Sequence, residues 1–540
     1  MSKLFERLLE SRGLGQDFLH PKYEGLVDPF ILPDVKKAVD RIEKAIKNNE
    51  KILIYGDYDV DGVTSSTLLA DALELAGVSL NNLDIMLPDR FADGYGMSPR
   101  LVKAAQKQGI NLVITVDCGS RNHAIIDELN TLGIDTIVTD HHECDDSLPE
   151  AIAVINPKRP DFSYKNDDLR SLAGVGVAFK LAQGLVKKGL IPAGQEKWFL
   201  DLVLIGTICD NMVLTGENHI LGYYGFKVLA KTRRTGLKEL MEKARVKNLT
   251  TDSIGFQIGP RLNAAGRLDS AEKSLNLLRT KSPAESAKLA DELEELNKKR
   301  KTEQQLAVKE ISARGVSDDP VIIETGAWHE GILGIIAGRL VEEYRRPAFV
   351  LAEIENGIFK GSGRSFGDFN LAEALNFAKN SIVDGGGHSL AAGVRVKKEQ
   401  LYEFREKINQ YYRDLRLSDQ EQYFRKRADL DVYDLSDLSL DFLEELKLLE
   451  PFGAGNEEPI FRICDATITN VSRMGADQNH LRLEMRDKKG HNLKLISFYA
   501  PEKWFTLTPE DRVSPLIKVM ENDYNGVKSV EARILDIDVL

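Results

Sequence analysis

Cysteine is scarce in this chain, and the four present, Cys118, Cys144, Cys209 and Cys464, stand far apart without a Cys-x-x-Cys pair. That spacing gives no support for a zinc or disulfide framework and fits a reducing cytosol. Long apolar runs are missing too. No uninterrupted stretch reaches the ~18 residues of a membrane span, and the opening Met-Ser-Lys-Leu-Phe-Glu-Arg lacks the apolar core of a signal peptide. A cytoplasmic protein without membrane contact is expected. Basic charge is also in deficit: 72 Lys and Arg against 84 Asp and Glu leave a net charge of −12. A protein that holds nucleic acid by bulk electrostatics is normally basic. Either nucleic acid is not the ligand, or acid is concentrated at a metal site while basic residues line a local channel. Net charge does not choose between them.

What is present is an ordinary globular composition, 42% hydrophobic and 29% charged, in a chain of 540 residues. That length suggests three or four domains at ~150 residues each. The chain is organised around Tyr55–Gly62, read as Tyr-Gly-Asp-Tyr-Asp-Val-Asp-Gly. Asp57, Asp59 and Asp61 alternate in a turn between a strand-like run, Lys51–Tyr55, and a helical pattern over Val63–Ala76. Taken alone, the stretch reads equally well as a solvated turn or as a cation loop. Further strand signals at 84–87, 112–116, 136–139 and 152–155 alternate with helical ones such as Pro99–Gln108 and 122–132. This rhythm predicts a mainly parallel, doubly wound sheet, whose ligands bind at the carboxyl ends of the strands. Asp117 directly follows one strand; Asp140, His141 and His142 follow another. Asp210 follows an apolar run, Phe199–Ile208, expected to be a buried helix. Each has a bland reading as a cap, surface or core residue. Gathered on one sheet edge, they are too negative to stand without metal. Carboxylates with imidazole and no thiolate suit Mn2+ or Mg2+ better than structural zinc. There are donors for two ions, and two ions ~3.5–4 Å apart clamp the oxygens of phosphoryl hydrolysis.

Asp140-His141-His142, preceded by Asp117 and the Asp59/Asp61 pair and followed by Asp210, resembles the motif set of the DHH phosphoesterase superfamily. The resemblance implies that Asp59 and Asp61 are ligands of different ions and that Asp117 bridges them. His141 and Asp210 would complete the second ion, and His142 would face the scissile phosphate as acid or electrostatic stabiliser. Asp57 would bind or orient the first ion. Many members have His where this chain has Tyr55, so the first ion is expected to hold fewer protein ligands and more water. Arg90, in Arg90-Phe91-Ala92-Asp93-Gly94-Tyr95-Gly96, matches an element of the RecJ-type exonucleases in this superfamily. Its planar fork suits an anion.

The Gly-x-Gly of Gly174 and Gly176 is weak evidence for nucleotide binding. Gly259–Leu268, with Arg261, Asn263 and Arg267 among small residues, reads either as helix packing with exposed Arg or as a close approach to a polyanion; it also resembles a RecJ-family signature. Ser282-Pro283-Ala284-Glu285 is a helix start. The pattern then runs without Gly or Pro to Gly315, its stripe of Leu289, Leu293 and Leu296 fading over a charged middle, as in a connector between domains. Strand signals follow at 321–324 and 348–351, then two runs expected as phosphate-holding glycine loops, Gly361–Ser365 and Gly385–Gly393. These resemble the DHHA1 domain that accompanies DHH domains. By that resemblance Ser362 and Arg364 would hold a terminal 5′-phosphate with Arg90, and His388 would approach the metals and act in catalysis. From Ile460 the chain reads as all-β, with clean alternation over His480–Arg486 and hairpin turns at 487–490 and 525–526. Short strands in this number suit an OB-type barrel. Arg473, Arg482, Arg486 and Lys494 could track a DNA backbone, with Phe498 or Tyr499 stacking, or could be ordinary solvated and core residues.

The expected architecture is an α/β chain: an N-terminal arm (1–49), a parallel-sheet DHH domain (50–230), a helical region with connector (231–317), a smaller α/β DHHA1 domain (318–400), a helical linker (401–450) and an OB-type barrel (451–540). That order resembles the RecJ family. The resemblance implies a 5′→3′ exonuclease acting on single-stranded DNA in repair and recombination, releasing 5′-mononucleotides with two Mn2+ or Mg2+ ions. It also implies a single-strand binding protein and a RecQ-type helicase as partners. The alternatives are a DHH phosphoesterase of short oligonucleotides, adenosine bisphosphate or cyclic dinucleotides, and a non-catalytic single-strand-binding scaffold. A dinucleotide hydrolase has no need of the barrel and connector, and a scaffold has no need of a full set of acids.

Overall fold

The structure is a computed structural model describing all residues except 95, 165–167, 356, 418 and 419. Tyr95 of the Gly-Tyr-Gly turn lies outside the described residues.

Five short strands make the first sheet: β1 (Ile52–Tyr55), β2 (Leu83–Met86), β3 (Leu112–Val116), β4 (Asp135–Thr139) and β5 (Ala153–Ile155). All pair in parallel in the order β2-β1-β3-β4-β5. Both faces of the central strands are buried, as continuous apolar runs require in such a sheet. One face packs on helices α1 (Val60–Leu75), α2 (Gly174–Lys187) and α3 (Leu200–Cys209). The other carries Leu53, Tyr55, Val113 and Val138 against a separate apolar cluster. The parallel register sets the loop ends side by side: Asp117 N–H bonds Thr139 O, and Asp140 N–H bonds Ile155 O.

Helix α4 (Gly259–Leu268) leads to the connector α5 (Pro283–Arg314). The connector has 32 residues, about 48 Å at the usual rise. Ser282 accepts the Glu285 N–H as its N-cap. Leu289 and Leu293 are buried in the core of the first domain, whereas Ala307 and Ile311 are buried in that of the second. One helix thus shares in two cores.

The second sheet runs β6 (Ile322–Gly326), β7 (Ala348–Glu355), β8 (Ile358–Arg364), β10 (Ala391–Lys397), β9 (Asp384–Gly387), with helix α6 (Leu333–Tyr344) on β7 and β8. This corrects the expected glycine loops. Residues 361–364 are strand, their backbone paired with β7 and β10. The glycines admit neighbours instead: a Cβ on Gly363 would lie 2.5 Å from the Phe349 ring and one on Gly361 2.6 Å from Leu351.

The third sheet contains β11 (Leu430–Val432), β12 (Phe461–Ile463), β13 (Ala466–Met474), β14 (His480–Arg486), β15 (Asn492–Ser497), β16 (Arg512–Tyr524) and β17 (Val527–Val539). Strands β16-β13-β14-β15-β17 form a closed ring, because β17 pairs back onto β16. That is a five-stranded barrel of OB type. Two stretches differ from expectation. Leu430–Val432, within the stretch read as helical linker, pairs in parallel with β12; three residues are too few for alternation to register. In the expected N-terminal arm, Lys3–Arg12 is a helix capped by Ser2 and Gly13; its Phe5, Leu8 and Leu9 share an apolar cluster with the barrel's core, and it packs on the helix Leu440–Leu446 and on β11.

Candidate active site

The β1–α1 loop is held by contacts that only its residue types allow. Asp59 caps α1, accepting the Gly62 N–H at 3.0 Å, and Asp57 accepts the Tyr58 N–H at 2.8 Å. A Cβ on Gly62 would lie 2.5 Å from the Asp57 backbone. Asp61 is buried and receives the N–H groups of Gly174 and Val175 at 2.6 and 2.9 Å, so α2 turns its positive N-terminus onto this carboxylate. Asp117 follows β3 with φ +61°, a left-handed conformation that Asp tolerates better than most residues. Gly174 makes room for it, since a Cβ there would stand 2.6 Å from that of Asp117.

Asp140 is turned away from the cluster and organises its own loop. Its carboxylate accepts the N–H groups of Ser120, His141 and His142 and pairs with His142 Nδ1 at 2.9 Å. Burial alone would raise it, but the hydrogen bond and charge of His142 hold it well below the carboxylate range. In return, against its own burial, His142 is pushed up to about 9 by Asp140, Asp210 and Asp57. His141 goes the other way, down to about 3, through burial and the neighbouring His142. At neutral pH the pair is therefore one imidazolium and one neutral imidazole.

The remaining groups want a cation. His141 Nε2 lies 3.1 Å from Asp117, 3.6 Å from Asp210 and 3.7 Å from Asp61. Burial, then Asp59, raises Asp57 to about 8 and Asp61 to about 7. Burial, then Asp61, raises Asp210 to about 8 and lifts Asp117 far out of the acid range. Asp117 Oδ1 and His141 Nε2 are buried without a hydrogen-bond partner. Donor atoms converge within 4.8 Å in three sets: Asp57, Asp59 and Asp117; Asp61, His141 and Asp210; Asp117, His141 and His142. Oxygen-rich donors with one neutral imidazole fit two hard divalent cations, with Asp117 common to two sets. Tyr55 takes no part, for its ring is fully buried and its hydroxyl donates to Gly96 O at 3.0 Å.

Beside the cluster opens a cleft of about 1310 Å3 whose walls include Tyr58, Arg90, His329, Ser362 and Arg364. Tyr58 lies between Asp57 and Asp59 and carries the Arg90 guanidinium over its ring at 4.8 Å. Arg267 is brought down to about 9 by burial and by Arg90, Arg364 and Arg300; Arg364 is lowered by burial and Arg90. Among the described residues none of Arg90, Arg267 and Arg364 has a carboxylate within ion-pair distance. Three such guanidiniums at one site call for an anion.

Other expected residues fall elsewhere. Arg261 is buried, bound to Glu294 of the connector at 2.5 Å and to Gln257 O. Its charge is paired within the α4–α5 contact, at a residue expected to contact DNA. Asn263 does line a small cavity with Arg267. His388 is exposed at the tip of the β9–β10 hairpin, its N–H on Ala391 O, and among the described residues it joins none of the donor sets. Arg482 and Arg486 stand on the exposed face of β14, Arg486 bonded to Asn492. Gly174 was missed as a site residue. Its signal was the Gly-x-Gly at a helix start, which serves a carboxylate of the protein itself.

A parallel sheet with this carboxylate–imidazole edge, a second α/β domain across a cleft and a barrel beyond defines a metal-dependent hydrolase of the DHH phosphoesterase class. Three family models match: the DHH family N-terminal domain over residues 51–207, the DHHA1 domain over 318–414 and the RecJ OB domain over 430–536. The single-stranded-DNA-specific exonuclease RecJ of Bacillus subtilis is 34% identical over all of this chain and 67% of its own length. Its Escherichia coli counterpart is 35% identical over 75% of this chain and 74% of its own length. The crystal structure of RecJ from Thermus thermophilus in complex with Mn2+ superposes with a TM-score of 0.85 at 29% identity, covering all of this chain and 76% of that one. The chain belongs to the RecJ family.

Proposed function

We propose that the protein is a 5′→3′ exonuclease for single-stranded DNA that releases 5′-mononucleotides and acts in repair and recombination. The observation carrying this is a cation-seeking carboxylate cluster beside a cleft in which Arg90 and Arg364 have no carboxylate partner among the described residues. A terminal phosphate carries nearly two charges, and Arg90, Arg364 and Ser362 are the groups proposed to hold it, with Arg267 alongside. The single-strand exonuclease activity for which the relatives are named, and the Mn2+- and Mg2+-bound RecJ structures, support the same reading.

Asp57, Asp59 and Asp117 would hold one divalent ion, Mn2+ or Mg2+, and Asp61, His141, Asp210 and Asp117 the other. Bound there, the ions neutralise the cluster, activate water and polarise the phosphodiester. Neutral His141 presents a free nitrogen. His142 would face the phosphoryl oxygens as acid or electrostatic stabiliser, with Asp140 fixing its ring. The carboxylates of the cluster also repel any phosphate not screened by cations. Part of the chain's acid is thus gathered where divalent cations would offset its charge.

Digestion of 5′-phosphorylated, 5′-hydroxyl and 3′-labelled single strands with Mn2+ or Mg2+ tests the proposal. Mononucleotides should appear first from a phosphorylated 5′ end. Faster release from the 3′ end, or preference for a dinucleotide over a long strand, would refute it.

A further inference from the structure

A second cavity, of about 570 Å3, opens at the far ends of the two helices whose near ends hold Asp61 and Asp210. Its walls include Asp71 of α1, Asp201 at the start of α3, Arg234, and Arg279 ahead of the connector. Asp71 stands ten residues after Asp61 on α1, about 15 Å along the axis. The cavity shares no wall residue with the Arg90 cleft. Its walls are fixed to one another: Arg234 donates to Leu278 O at 3.2 Å and Thr235 Oγ1 to Thr280 O at 3.0 Å. They meet so closely that a Cβ on Gly236 would collide with Leu277 O.

The acids of this wall are answered by two arginines. Arg234 lies 2.8 Å from Asp71 and 3.5 Å from Asp201; Arg279 pairs with Glu74 at 2.5 Å and with Asp71 at 3.5 Å. Arg233 and Lys281, also in the wall, are left over. Among the described residues neither has a carboxylate within ion-pair distance. The wall thus carries four cations against three acids. Arg234 Nε, moreover, is buried and has no hydrogen-bond partner. The apolar side is equally unfinished. The Arg233 guanidinium lies over the Trp198 ring, 3.5 Å from its centre, and makes with it a flat stacking surface. Leu75 beside them is exposed although apolar. Single solvated cations are ordinary. A stacked Arg–Trp pair, an uncovered leucine and a buried donor without acceptor in one cavity call for a ligand with both a flat ring and an anion.

We propose that this cavity binds a nucleoside monophosphate, its base stacked on the Trp198–Arg233 pair and its phosphate held by Lys281. Bases stack on guanidinium planes as well as on aromatic rings, and a lysine binds phosphate as a point charge. The volume falls among those of small-molecule pockets, ~300–1,000 Å3. The site does not depend on the exonuclease reading, although a nuclease that releases mononucleotides would supply its ligand. Neither the metal cluster nor the bound strand takes part.

The test titrates the full-length protein with adenosine 5′-monophosphate in the presence of a chelator, so that no metal links the nucleotide to the cluster. Tryptophan fluorescence should show saturable quenching that Trp198→Phe removes, while calorimetry still detects binding to that variant. Arg233→Gln and Lys281→Gln, both at exposed positions, should each weaken affinity about ten-fold. Adenosine and inorganic phosphate, each making half of the contacts, should bind at least about ten-fold more weakly than the monophosphate. A saturating 5′-phosphorylated single strand should leave the binding unchanged, since it occupies the other cleft. Absence of saturable quenching, quenching that survives Trp198→Phe, unchanged affinity in both charge variants, equal binding of inorganic phosphate, or displacement by the strand overturns the site. Failure of the exonuclease reading appears separately, in the digestion of labelled strands.

Discussion

Asp117 concentrates the chemistry of the site in one residue: left-handed backbone, buried carboxylate, an unsatisfied oxygen and membership of two donor sets. Asp117→Ala is expected to abolish hydrolysis, by more than about a thousand-fold in kcat. Single-strand binding should change by less than two-fold, because the arginine pocket is untouched; gel-shift and turnover assays read both. The neighbouring acids give a pH signature. Asp57, Asp61 and Asp210 are raised to about 8, 7 and 8 in the folded chain. The folded state thus binds more protons than the unfolded one between about pH 4 and pH 8, and stability falls as pH rises through that window. Metal-free protein should therefore melt at lower temperature at pH 8 than at pH 5. Mn2+ should remove most of that difference; a chelator titration in a thermal-denaturation assay measures it.

The element that most constrains the site is the start of α2. Its first two N–H groups hold Asp61, and the bare Cα of Gly174 gives Asp117 its space. Gly174→Ala pushes a methyl into that carboxylate, with an expected cost of about 1–3 kcal/mol. Its main effect should be on metal affinity, which calorimetric Mn2+ titration would show falling about ten-fold or more, as for other residues that orient ligands. Strand ends β3 and β4 were legible from the sequence, because apolar runs followed by acid or imidazole are local signals. The strands β8–β10 were not. Their glycines look like loops, and only the opposing Phe349 and Leu351 explain why a sheet needs them bare.

At the scale of the molecule, distant segments share cores. The connector joins the first two domains, and the N-terminal helix shares an apolar cluster with the barrel, with Arg12 bonded to Asp429. Leu8→Ala is expected to destabilise the barrel by about 2–5 kcal/mol, as large-to-small core changes do. Trp504, buried in the same cluster, is the fluorescence probe for that unfolding. A denaturation midpoint unchanged by this variant would rule out the N-terminal helix as part of the barrel's core. No helix is long and apolar enough to cross a membrane among the described residues.

The sequence by itself determined what its local patterns encode: the parallel strands and their acidic ends, the capped connector, the alternating strand β14 and the stretch Asp57–Asp61 with its partners Asp117, His141, His142 and Asp210. These follow from short-range periodicity and from charge too dense to stand without cations. Tertiary structure alone decided which residues of similar type share a role. It gave Arg261 to the connector and left Arg90, Arg267 and Arg364 without acids among the described residues, placed His388 at an exposed hairpin tip, and set His141, lowered by burial, beside His142, raised by Asp140. The physical reason is the same in each case. Burial and the nearest opposite charge, which fix the state of an ionisable group, are properties of neighbours far apart in the chain.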